Sequence, residues 1–101
     1  MIDEAISRIE YMEKLFDSVK SYVNTDPLAA LSDNDFRKKL GILARYYEGG
    51  CWLKDYEFDE KGRLPENLKR GILSQDEFYD FLVEMEKLLK FLRIDSYLSL
   101  W

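Results

Sequence analysis

The stretch from Asp55 to Glu66 holds the residues of this chain best spaced for chemistry: Asp55, Glu57, Asp59, Glu60 and Glu66. Carboxylates at alternate positions are the donor set of a calcium loop. Asp55, Glu57 and Asp59 take its first, third and fifth places and Glu66 its twelfth. The pattern departs from that loop where geometry is most demanding. The sixth place needs the glycine of the sharp turn, but Glu60 stands there and Gly62 comes two residues late. Pro65 also interrupts the helix that should follow. Ion pairs with Lys54, Lys61, Lys69 or Arg70 are the expected use of these carboxylates. No metal and no other cofactor is expected.

Other chemistry is narrowed by residue type. The chain has no histidine, which removes the commonest general base near neutral pH and the commonest metal ligand. Cys51 is its one cysteine, so neither an internal disulfide nor a thiolate metal cluster can form. It follows a glycine pair and precedes Trp52, with Lys54 the nearest base in sequence. A packing residue is expected there rather than a reactive thiol. Paired carboxylates can do acid–base work in glycosidases, but a chain of 101 residues rarely provides the cleft. Lys69 and Arg70, with Arg63 and the first amides of the last helix, could hold a phosphate. Salt bridges to Asp55 and Glu57 are the expected alternative. The reading is a protein without enzymatic activity and without catalytic residues.

Charge narrows the partners. The formal net charge is −5. The acidic excess sits at the two ends, in Asp3, Glu4, Glu10, Glu13, Asp17 and Asp26 and again in Asp76, Glu77, Asp80, Glu84, Glu86 and Asp95. Such a surface repels phosphate, so neither direct nucleic-acid binding nor an anionic membrane is expected. No apolar run is long enough to span a bilayer. The opening Met-Ile-Asp-Glu-Ala-Ile-Ser-Arg lacks the basic start and apolar block of a secretory leader. With the lone cysteine, this points to a reducing cytoplasm.

The elements that position these residues are helical. Over residues 2–23, Ile2, Ala5, Ile9, Met12, Phe16, Val19 and Val23 step by three and four along one stripe. Ile6, Leu15 and Tyr22 widen the stripe, and Glu4–Arg8 and Glu10–Lys14 are favourable pairs on the outer face. Pro27 stops this helix. Ser32 is the expected N-cap of the second, with Leu31 stapled to Phe36. That helix runs to about Glu48, carries Phe36, Leu40, Leu43 and Tyr47 on one face, and ends at Gly49-Gly50.

Trp52, Leu53 and Tyr56 then have the spacing of a short helix, Asp59 to Gly62 reads as a turn, and Pro65 opens a short helix to Arg70, closed by Gly71. Ser74 and Glu77 form a capping box, with Leu73 and Phe78 as its staple. The last helix is expected from Gln75 to about Arg93. Phe78, Phe81, Leu82, Met85, Leu88, Leu89 and Leu92 lie on its apolar face, with Tyr79 and Phe91 off it. The fold class is therefore all-α, in one domain over residues 1–101. The architecture is a three-helix bundle with a packed, irregular connection between the second and third long helices.

The central residues also carry a resemblance. Tyr46-Tyr47, Trp52-Leu53-Lys54-Asp55-Tyr56-Glu57, Asp59-Glu60-Lys61-Gly62-Arg63-Leu64-Pro65 and Leu68-Lys69-Arg70-Gly71-Ile72-Leu73-Ser74-Gln75-Asp76 are similar to the signature of a family of small, acidic, helical bacterial proteins. The opening Arg8-Ile9-Glu10-Tyr11-Met12-Glu13 resembles the first helix of that family, which is classed as a domain of unknown function. The resemblance implies a bacterial, cytoplasmic, helical protein. It implies no activity and no catalytic residue.

What remains is recognition of another protein. Trp52 and Tyr56 of the central stretch, with Phe91, Tyr97, Leu100 and Trp101 toward the C-terminal end, are the candidate interaction residues, because apolar groups need a surface to cover them. The function read from these residues is a non-enzymatic interaction module for a protein partner or a second copy. The alternative is an acidic inhibitor or antitoxin-like protein whose helices occupy a basic nucleic-acid-binding groove on a partner.

Overall fold

The stripe of residues 2–23 does form the first helix, and its steps of three and four decide what that helix buries. In the computed structural model, which describes residues 2–91, helix α1 (Ile2–Thr25) turns Ala5, Ile9, Phe16, Val19 and Val23 into the interior. Pro27, expected only to stop the first helix, also starts a second at once, α2 (Pro27–Ser32). Asp26 caps it, accepting a hydrogen bond from the Ala29 amide at 3.2 Å. The chain continues through α3 (Asn34–Glu48), α4 (Cys51–Glu60), a single 3-10 turn (Gly71–Leu73) and α5 (Gln75–Phe91). The described residues are all-α, without a strand.

Several boundaries differ from expectation for identifiable reasons. Asp33, not Ser32, caps α3, accepting from the Asp35 amide at 2.8 Å and the Phe36 amide at 3.4 Å. An ionised carboxylate is favoured at the positive end of the helix, and Ser32 is still within α2. Leu31 and Phe36 are both buried, as a staple requires. At the other end of α3, Gly50 takes φ +91°. Gly49 is needed for space rather than φ: a Cβ there would lie 2.8 Å from the Arg45 carbonyl oxygen.

Residues 65–70 do not form the expected helix. They are held by local turns, including Leu68 N–H to the Pro65 oxygen at 3.2 Å. Gly71 opens the 3-10 turn instead of closing a helix. Glu77 gives its carboxylate to Lys20 at 2.9 Å instead of to a capping box.

Helix α1 packs against α2, α3 and the 3-10 turn; α3 also meets α2 and α4; and the turn is further covered by α4 and α5. Phe16 stands where these layers meet. Its ring lies edge-on to Phe78 at 5.2 Å and to Phe81 at 5.3 Å, within the range that favours aromatic pairs. The Lys20 ammonium sits 4.1 Å from the Phe16 ring centre. Leu64, Leu68, Ile72 and Leu73 of the irregular connection are buried with the helix cores, so the connection is a wall of the core.

Trp52 is the plug of that wall. Only 4% of it is exposed, and its indole N–H donates to the Ile72 carbonyl at 2.9 Å. The structure predicts that Trp52→Ala lowers unfolding stability by ~3–5 kcal/mol. Trp52→Phe should cost less, about 1–3 kcal/mol, because it strands the Ile72 carbonyl without opening a large cavity. Urea unfolding of both variants checks this, and a wild-type midpoint for Trp52→Ala would show that the indole is not part of the core.

Candidate functional site

Helix α4 does not have the apolar face of an ordinary packing helix. It buries Trp52 and Asp55, three residues apart, while Leu53 stays exposed. Asp55 has no solvent-exposed surface. Arg8, one helical step from Ala5 and Met12 on α1, reaches across to it. The Arg8 Nε donates to Asp55 Oδ2 at 2.9 Å, and its Nη2 donates to Oδ1, forming the two-pronged guanidinium–carboxylate pair. Tyr46 of α3 donates its hydroxyl to the same Oδ2 at 2.6 Å. One carboxylate thus ties α1, α3 and α4 together.

The electrostatics follow from burial. Burial, and then the bond to Asp55, push the Tyr46 phenol far above its ordinary value, so it stays a neutral donor. The hydrogen bond to Asp55 raises the Arg8 pKa, against the opposing effect of its partial burial. A second carboxylate on α1, Glu13, is buried beside the 3-10 turn. Its Oε1 accepts from the Ile72 amide at 3.1 Å. Gly71 makes room for it, since a Cβ there would lie 3.3 Å from Glu13 Oε2. Asp55 accepts from Arg8 twice and from Tyr46, and Glu13 accepts from the Ile72 amide, so both acids help to position the central stretch.

The carboxylates considered as a calcium loop are dispersed. Asp55, Glu57, Asp59 and Glu60 lie on the helix α4, not in a loop. Asp59 pairs with Arg70 Nε at 3.0 Å. Lys69 reaches Asp17 at 3.5 Å, and Arg70 also donates to the Pro65 carbonyl at 2.6 Å. The expected pairing of these bases with Asp55 and Glu57 is replaced by these contacts, because Asp55 faces inward to Arg8. Among the described residues, no group of three His, Cys, Asp or Glu side chains converges as a metal site. No helix among them is long and apolar enough to cross a membrane.

Of the candidate interaction residues, Trp52 is inside the core, where packing and its hydrogen bond to Ile72 have taken up its surface. Tyr56 is half-buried, stacked on Trp52 with ring centres 5.1 Å apart. Phe91 is 82% exposed at the end of α5. Tyr97, Leu100 and Trp101 lie outside the described residues. Two inward groups, Arg8 and Glu13, depart from the sequence expectation, which put Arg8 on the outer face as a partner of Glu4 and counted Glu13 only among the surface acids. Both fall at stripe spacing, Arg8 three after Ala5 and Glu13 four after Ile9, and that was their available signal.

Tyr79 acquires a definite place. It is 41% exposed and its ring lies 5.6 Å from Tyr47. Tyr47 lies 5.0 Å from Trp52, so Tyr79, Tyr47, Trp52 and Tyr56 form a continuous aromatic row across α5, α3 and α4. Tyr79 also heads a shallow, open groove on the outer face of α5, whose described lining, Asp80, Val83, Glu84, Lys87 and Leu88, lies on that one helix.

Residues 2–94 match a family model described as a domain of unknown function, DUF4298. The chain belongs to the DUF4298 family. No curated protein and no solved structure matches it. The DUF4298 match includes α1 through α5, and so Arg8, Glu13, Tyr46 and Asp55 together.

The cluster yields two predictions. Asp55→Ala leaves the buried Tyr46 hydroxyl without its acceptor and the partly buried Arg8 guanidinium without its partner, and should destabilise by ~1–3 kcal/mol. Replacing both groups, in Arg8→Met with Asp55→Leu, should cost less than the two single changes combined, which a double-mutant unfolding cycle measures.

The second concerns alkali. The Tyr46 pKa is raised in the folded state, so its contribution is complete below the unfolded value of about 10 and is lost as pH rises toward the folded one. Tyr22, Tyr47 and Tyr56 shift in the same direction. Stability should therefore decline above pH ~10. Tyr46→Phe should be weaker at neutral pH and decline less steeply, as read by unfolding at neutral and alkaline pH.

Proposed function

We propose that this protein is a non-enzymatic interaction module that binds a protein partner, or a second copy of itself, through the tyrosine row and the adjoining outer face of α5. The observation that carries the reading is Tyr79, which joins a half-exposed aromatic row to the shallow groove on its own helix, α5. Tyrosine offers large contact area with few rotatable bonds, and it is enriched where proteins meet. Phe91 extends the apolar character of the same helix. We read the frame that holds this surface as a three-helix bundle of α1, α3 and α5, with α4 and the 3-10 turn in the connection. The setting proposed is a bacterial cytoplasm, with which a free, exposed Cys51 is compatible.

A second reading is favoured by a specific feature. Asp76, Asp80 and Glu84 are exposed one turn apart along α5. Such a line suits an acidic inhibitor or antitoxin-like protein that fills a basic nucleic-acid-binding groove on its partner. Competition separates the two readings. A partner complex that resists added DNA or RNA supports the interaction module, whereas displacement by nucleic acid supports the inhibitor.

The module reading predicts that Tyr79→Ala weakens the complex, or the self-association, by at least about tenfold. Its melting temperature should remain close to wild type, since a half-exposed side chain is removed. Analytical ultracentrifugation with purified partner, and of the protein alone, measures both forms of assembly. Unchanged assembly in Tyr79→Ala would overturn the assignment of this surface.

A further inference from the structure

We infer that the tyrosine row and the α5 groove receive a basic, amphipathic segment of a partner protein, with arginine or lysine side chains on the tyrosines and apolar side chains over Val83 and Leu88. This inference rests on the interaction-module reading and gives the partner its chemistry.

The groove sets half-buried apolar side chains beside exposed acids. Tyr79, Val83 and Leu88 line it, together with Asp80 and Glu84, and Lys87 is the base at its far end. Asp76 lies one turn before Asp80 on the exposed side of α5. After the larger effect of Glu60, its charge is among those that raise the pKa of the Tyr56 phenol on α4. Glu60 stands at that same hydroxyl. The aromatic row is therefore rimmed by Glu60 and Asp76 at one end and by Asp80 and Glu84 at the other.

Half-exposed tyrosine faces bordered by carboxylates fit a cation in two ways. The ring faces attract it through their quadrupole, and the carboxylates pair with it. The other classes of occupant fit less well. A second copy brings the same acidic line and a net charge of −5 to the contact, and nucleic acid or an anionic lipid surface brings phosphate. A wholly polar cationic chain would leave Val83 and Leu88 uncovered. Apolar groups alternating with bases match both parts of the groove.

Titration calorimetry with three synthetic ten-residue peptides tests this. One presents arginines on one helical face and leucines on the other. A second replaces the arginines by glutamates, and a third is all arginine. The first should bind, the second should not, and the third should bind more weakly than the first.

Asp76→Asn with Asp80→Asn should weaken the first peptide by about tenfold at moderate salt. Asp3→Asn with Glu10→Gln removes the same charge from α1 and should leave binding within about twofold. Tyr79→Leu, which keeps the apolar contact, should cost about threefold through the lost ring face. Melting curves confirm that each variant is folded.

Equal weakening by the two charge-removing pairs would mean general attraction to an acidic protein and would overturn the inference. So would all-arginine binding as tightly as the mixed peptide, or a dimer by sedimentation that Tyr79→Leu dissolves, which would assign the groove to a second copy. If no peptide binds while Tyr79→Ala still breaks a complex with purified partner, the basic segment is refuted and the interaction module stands.

Discussion

A single buried carboxylate sets the arrangement of the helices. Asp55 is taken wholly out of water, and an ionised group so placed costs several kcal/mol unless it is paired and hydrogen-bonded. Arg8 and Tyr46 supply that pairing from two other helices, and both bond directionally. Apolar packing alone would leave α4 free to rotate, since it buries little besides Trp52 and Asp55. The fork of Arg8, the Tyr46 hydroxyl and the bond from Trp52 to Ile72 allow one rotation. That rotation exposes Leu53 and Cys51 and stacks Tyr56 on Trp52.

The irregular connection depends on the same kind of support. Residues 61–70 lack a helical ladder of their own, and buried backbone groups need partners. Side chains from the helices provide them. Glu13 accepts from the Ile72 amide, Trp52 donates to the Ile72 carbonyl, and Arg70 joins Asp59 to the Pro65 carbonyl. Gly71 is required here for space, because the Glu13 carboxylate occupies the position a side chain would take. The connection is thus satisfied from outside itself. Its apolar residues can then close the core between α1, α4 and α5.

These inward commitments determine what is left for recognition. Trp52, Tyr46, Asp55 and Glu13 are spent on the interior. Tyr47, Tyr56 and Tyr79 keep part of their surface at the edge of that interior, next to the acidic line of α5. The surface is held in place from below, because its rings rest on Trp52 and Phe78. A rigid aromatic platform loses little conformational entropy when a partner covers it, which favours binding.

The sequence by itself determined the long helices α1, α3 and α5 and most of their inner faces. Ala5, Ile9, Phe16, Val19 and Val23, and later Phe78, Leu82, Met85 and Leu89, are buried as their spacing requires. Periodicity is a local property, and it survives any arrangement that buries the stripe. The glycine pair and the Leu31–Phe36 staple were legible for the same reason, but the capping residue was misplaced by one, because Ser32 and Asp33 are both good caps. Only the tertiary structure decided the use of the charged residues. Arg8 looked like an outer partner for Glu4, and Asp55 looked like a loop ligand beside Lys54. Their pairing spans 47 positions of sequence, and no local pattern carries a contact that distant. The fate of residues 65–70 was settled in the same way. Pro65 and Gly71 permit a short helix, but Glu13, Trp52 and Asp59 offer the connection better partners from elsewhere in the fold. The tyrosine row joins three helices that only packing brings together, so its continuity could not be read along the chain.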